Sequence, residues 1–118
     1  MIEYIYAFLI ILALDSVYLF LVADSFGSMV KSIQHESMSI RYGSAFIVYA
    51  LLAIGLVNIA YKTDVKKAAL LGAVTYGVFD FTNYAVFRNY NIVLAVIDTI
   101  WGAVLLGLSA YLYKSIIL

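Results

Sequence analysis

The chain has no cysteine, no proline and a single histidine, and only 12% of its residues are charged. Each shortage excludes something. Without cysteine the chain has no disulfide, thiolate chemistry, cysteine zinc site or iron–sulfur cluster of its own. Without proline, any helix kink must come from glycine or from a polar insertion. A soluble domain carries roughly 25% charged residues, so the composition is not a soluble one. Seven acids balance seven bases. No basic surface is left to neutralise phosphates, which excludes nucleic acid as a partner.

What is abundant is apolar. Hydrophobic residues make up 66% of the 118 positions, and the mean hydropathy is +1.04. One domain of this length has too small a core to bury so much apolar surface. A lipid bilayer takes the surplus, and the chain reads as one integral membrane domain over residues 1–118. Its first apolar segment has no basic leader and contains Asp15, so it reads as a retained helix and not as a cleaved signal peptide.

About 20 apolar residues cross a bilayer as a helix. Four segments qualify, near 4–23, 44–61, 67–87 and 92–113. The expected fold is all-α and polytopic, with four transmembrane helices. Arg88-Asn89-Tyr90-Asn91 joins the last two and Lys62-Thr63-Asp64-Val65-Lys66 the middle two, so each pair should run antiparallel. Thr63 or Asp64 can cap the third helix and Asn91 the fourth. In the longer first connection, Phe26, Met29, Val30 and Ile33 repeat at helical spacing. They suggest a short amphipathic helix on the membrane surface, with a polar loop as the alternative. Lys62, Lys66, Lys67 and Lys114 lie on the side of the termini, against Lys31, Arg41 and Arg88 opposite. That excess of one basic residue puts both termini in the cytoplasm. Ala69, Ala73 and Gly77, with Ala103 and Gly107, form small-residue rows of the kind that let membrane helices pack closely.

Function is expected at Asp15, Asp80 and Asp98. An aspartate near the centre of a membrane helix costs about 2.5–3.5 kcal/mol on insertion scales. Three occur in four spans, with no basic residue well inside any of them. Their depths agree. Asp15 is eight residues before the end of the first span, Asp80 seven before the end of the third, and Asp98 six after the start of the fourth. At 1.5 Å per residue all three lie about 9–12 Å below the face that carries the first and third connections. Tyr18, Tyr76, Asn83, Trp101 and Gly102 share helix faces with them at three- and four-residue offsets. Asn83 is a candidate neutral ligand and Gly102 lets another backbone approach. The second helix offers no ionisable group and reads as packing support.

Three close carboxyls need protons or a cation to stay together. Oxygen ligands suit sodium, magnesium, calcium or manganese, or protons alone. Zinc, copper and haem are disfavoured because His35, the lone histidine, lies in the first connection and reads as solvated. The tyrosines at span ends, Tyr4, Tyr6, Tyr61, Tyr90 and Tyr113, are explained by an interfacial aromatic belt.

At these residues the chain resembles a family of small four-helix membrane proteins, domain of unknown function 2177. The resemblance rests on Asp15 with Tyr18, on Tyr76-Gly77-Val78-Phe79-Asp80-Phe81-Thr82-Asn83, and on Asp98-Thr99-Ile100-Trp101-Gly102. Phe79 stands where the family often has tyrosine. The resemblance implies an all-helical membrane fold, brings Thr82 among the supporting residues, and implies no particular activity.

Three functions fit. The first is a cation- or proton-coupled transporter or channel with Asp15, Asp80 and Asp98 as exchanging carboxyls. The second, less favoured, is a membrane-embedded enzyme on a lipid or apolar substrate; it requires a cavity open to lipid with an aspartate at its base. The third is a structural subunit whose aspartates bond to a partner or to a second copy of the chain.

Overall fold

The computed structural model describes residues 1–117. Its four α-helices are α1 (Ile2–Gln34), α2 (Tyr42–Asn58), α3 (Val65–Val86) and α4 (Ile92–Leu112). A π-helical turn, Tyr113–Ile117, carries α4 onward. The bundle measures 46 × 24 × 20 Å.

Local chemistry sets the helix ends. The Asp64 carboxylate accepts from the Lys67 amide at 3.1 Å and opens α3. Asn91 Oδ1 accepts from the amides of Val93 at 2.8 Å and Leu94 at 3.3 Å and opens α4. Both caps satisfy amides that have no partner within the helix. His35 ends α1 in the left-handed conformation, φ 62°, and donates its amide to the Lys31 carbonyl. It therefore serves as a C-terminal cap.

One expectation is corrected here. No separate surface helix lies between the first and second helices: α1 runs unbroken for 33 residues. No proline interrupts it, and a single Gly27 is tolerated in a helix at a cost of about 1 kcal/mol. The stripe read as facing the membrane surface packs instead on protein. Met29 is buried against Tyr90 and Ala95, and Phe26, Ile33 and Leu94 border the cluster. Asn89 Nδ2 donates to the Ser32 carbonyl at 3.0 Å, so the far third of α1 holds down the α3–α4 connection.

Packing is uneven. α3 and α4 form the most extensive contact, α1 packs on α2 and α4, and α2 barely touches α3. The α3–α4 seam is close because it is built on glycine. A Cβ on Gly72 would run into the Gly102 carbonyl, and one on Gly102 would lie 2.6 Å from the Gly72 carbonyl oxygen. Gly107 faces Ala69 and Gly77 faces Thr99 along the same seam.

The half of the bundle nearest the N-terminus is an apolar core of Ala7, Ile11, Leu56, Ala68, Leu105, Leu106 and Ala110, all fully buried. Many large apolar side chains face outward, including Phe20, Leu21 and Val86. Two helical stretches, Ile2–Gln34 and Ile92–Ile117, are long and apolar enough to cross a membrane, and Tyr42–Asn58 is a shorter apolar helix.

Candidate functional site

All three aspartates are buried: Asp15 and Asp98 are 6% exposed and Asp80 is 0% exposed. They lie in one layer but do not meet at one point. Among the described residues no three histidine, aspartate or glutamate side chains are grouped to hold a metal ion. Asp15, Asp80 and Asp98, expected to stay together through protons or a cation, thus do not form a three-carboxyl metal group.

The layer divides into two linked parts. In the first, both oxygens of Asp15 accept hydrogen bonds. Trp101 Nε1 of α4 donates to Oδ1 at 2.9 Å, and the Tyr49 hydroxyl of α2 donates to Oδ2. In the second, the Tyr18 hydroxyl of α1 donates to Asp98 Oδ1 at 3.0 Å. The Tyr18 and Trp101 rings stack at 4.7 Å with 7° between their planes, so α1 and α4 exchange partners across a shared aromatic pair. Behind Asp98 lies Asp80, its neighbouring acid. The Tyr90 hydroxyl donates to Asp80 Oδ1 at 2.8 Å. Asp80 Oδ2 is buried and has no donor among the described residues.

Tyr90 belongs to the α3–α4 connection, and burial, then its bond to Asp80, holds its hydroxyl well above the ordinary tyrosine range. It therefore stays a donor throughout the physiological range. Its other neighbour is Asn83. Asn83 thus stands beside the Tyr90 hydroxyl and makes no direct bond to an aspartate. Tyr76 packs its ring over Gly102. Thr82, expected to support the site, is instead exposed on the outer side of α3.

Two contributors escaped the sequence reading. Tyr49 makes α2 part of the site and not only a packing support. Tyr90, assigned to an aromatic belt, reaches the most deeply buried carboxyl. Counted in the same way, Tyr49 is five residues past the start of the second span at residue 44, about 8 Å along the helix and close to the level of the aspartates.

A cavity of about 450 Å³ fills the gap between α2 and α3, with Asp15, Tyr18 and Asp98 at its base. Its lips are apolar and exposed: Val48 and Leu51 of α2, Phe79 of α3 and Leu19 of α1. The cavity thus opens sideways, and its volume falls within the roughly 300–1,000 Å³ of small-molecule sites. An apolar crevice ending on carboxyl groups can hold an amphiphile, exchange a proton with it, or do both.

No curated protein and no solved structure matches the chain. The family model described as "Predicted membrane protein (DUF2177)" matches residues 1–113, and the chain belongs to that family of membrane proteins.

Proposed function

We propose that the protein is a proton-exchanging membrane carrier, with all four helices crossing the bilayer and the Asp80–Asp98 pair holding the exchangeable proton. The observation that carries this reading is the orphaned Asp80 Oδ2. A buried acceptor without a donor costs about 1–3 kcal/mol. Asp98 is the neighbouring acid, and a proton held by this pair removes the cost of two adjacent carboxyls ionising together. Tyr90–Asp80 and Tyr18–Asp98 are hydrogen-bonded pairs and the two acids are neighbours, so the four groups lead from the α3–α4 connection to the crevice. Beyond it the N-terminal half of the bundle is a closely buried apolar core, which favours a carrier over an open channel.

The test is proton flux into liposomes containing the purified protein, under an imposed pH difference. Wild type moves protons, and Asp80→Asn or Asp98→Asn lowers the rate at least tenfold. Absent flux in wild type, or equal flux after Asp80→Asn, rejects the reading. The topology is checked separately, and the absence of native cysteine makes the check clean. Single cysteines at Thr63 and Ser37 should be labelled from opposite sides of the membrane, Thr63 from the cytoplasm. Labelling of both from one side overturns the four-span arrangement.

A second reading is favoured by the crevice itself. A membrane-embedded enzyme needs a sideways opening with a carboxyl at its base, and the cavity has both. General acid–base work by Asp15 or Asp98 on a lipid would follow. Incubation with bilayer lipids, followed by mass spectrometry, checks it: unchanged lipid removes the enzyme reading.

A further inference from the structure

The two parts of the aspartate layer carry different hydrogen-bond patterns. Asp80 has an oxygen without a donor. Asp15 has donors on both oxygens, a tyrosine hydroxyl and an indole N–H. Indole N–H only donates, so Oδ1 is an acceptor, and with a hydroxyl on Oδ2 the carboxyl can carry its charge without a further protein donor. Among the described residues, no lysine, arginine or histidine lines the crevice that Asp15 faces, and no ion pair reaches it. An anion in an apolar setting is costly unless a positive charge accompanies it.

The walls restrict what that positive charge can be. A hard metal ion takes about six to eight oxygen ligands. Apart from Asp98 and Thr75, the crevice walls around Asp15 are aliphatic and aromatic, and the Asp15 oxygens already have partners. The rings of Tyr18, Tyr76 and Phe79 do line the same space, and aromatic faces attract organic cations. The sideways opening, flanked by exposed Leu51 and Phe79, admits a molecule dissolved in the bilayer.

We propose that the α2–α3 crevice binds a lipophilic organic cation, an amine or onium ion with apolar substituents. Its charge lies by Asp15 among the aromatic rings and its substituents lie along Val48, Leu51 and Phe79. The inference builds on the reading of the aspartate layer as an exchange site, and it names the second species exchanged.

Trp101 is the chain's only tryptophan and touches Asp15 directly, so its fluorescence reports on the site. The experiment titrates the purified full chain in detergent with tetraphenylphosphonium and, separately, with neutral triphenylphosphine oxide. Equilibrium dialysis confirms binding independently of the optical signal. The cation should bind saturably and at least tenfold more tightly than the oxide. Asp15→Asn should weaken the cation at least tenfold and leave the oxide within twofold. Absence of saturable cation binding, equal affinity for the two probes, or unchanged cation affinity in Asp15→Asn overturns the proposal. Leu51→Trp, at an exposed lip, fills the opening without touching a carboxyl and should abolish cation binding in dialysis even if Asp15→Asn does not fold. Undiminished binding by Leu51→Trp also overturns it. Proton flux in liposomes without cation binding rejects this inference alone. Cation binding without flux rejects the carrier reading and leaves the binding site standing.

Discussion

The two seams of α3 are opposites. On one side it meets α4 backbone to backbone at Gly72 and Gly102. On the other it barely meets α2, and the gap is a cavity of about 450 Å³. The first seam fixes Asp80 against Asp98. The second leaves Asp98 and Asp15 approachable from the side. One helix thus provides both the fixed wall and the open doorway of the site, and the difference comes from glycine: where both helices lack side chains the backbones close, and where bulky residues face each other they stand apart.

The most severe way to break this contrast is at the closed seam. Gly102→Val forces side-chain atoms into the Tyr76 ring and the Gly72 carbonyl and should cost about 3 kcal/mol or more, the upper range for overpacking. Gly55→Ala on α2 is the matched control. Its new Cβ meets only the Leu71 Cδ2, at 3.2 Å, and a flexible side chain can move aside, so the cost should stay under about 1 kcal/mol. Unfolding in mixed micelles, followed by Trp101 fluorescence, measures both. Equal losses would erase the distinction between the seams.

A smaller effect is expected where the α3–α4 connection closes over the aspartate pair. Tyr90→Phe leaves a second Asp80 oxygen without a donor and should cost about 2 kcal/mol. A cost near zero would mean that Asp80 obtains its partner elsewhere. Tyr49→Phe should cost less, about 1 kcal/mol, because Asp15 keeps its bond from Trp101. Its sharper consequence is a shift in Trp101 emission, and an unchanged spectrum would deny the link from α2.

The smallest effect lies at the bundle's other end. Glu3 and Lys62 form an ion pair at 2.8 Å. The hydrogen bond from Lys62, and then its charge, hold the Glu3 carboxyl below its ordinary range, while the bond to Glu3 raises Lys62. A lowered carboxylate stabilises the fold above its unfolded value of about 4.3 and loses that contribution as pH falls through its folded value. The stability gap between wild type and Glu3→Gln should therefore be small near neutrality and vanish in acid. A gap that widens in acid would contradict the pairing.

Much of this was readable in advance, for identifiable reasons. Asp64 and Asn91 stand immediately before apolar runs, where a cap is required, and both cap. The common level of the aspartates follows from counting residues inward from charged connections, since helical rise is fixed. What escaped depends on register between helices. Nothing in the sequence distinguishes Tyr90, which reaches Asp80, from Tyr61, whose ring lies 4.9 Å beneath the Lys67 amine. The length of α1 was also hidden, because an amphipathic stripe looks the same whether it lies on lipid or on Tyr90 and Ala95. The crevice is an absence of contact between α2 and α3, and no residue announces it.

The unbroken α1 has a mechanical consequence. A 33-residue helix is a stiff rod about 50 Å long. It carries Asp15 near its middle and is clamped beyond that, through Met29 and Ser32, to the turn that holds Tyr90. A rod held at that clamp cannot swing Asp15 without tugging on the turn. Asp15 and the turn that carries Tyr90 thus belong to one continuous unit of helix and clamp.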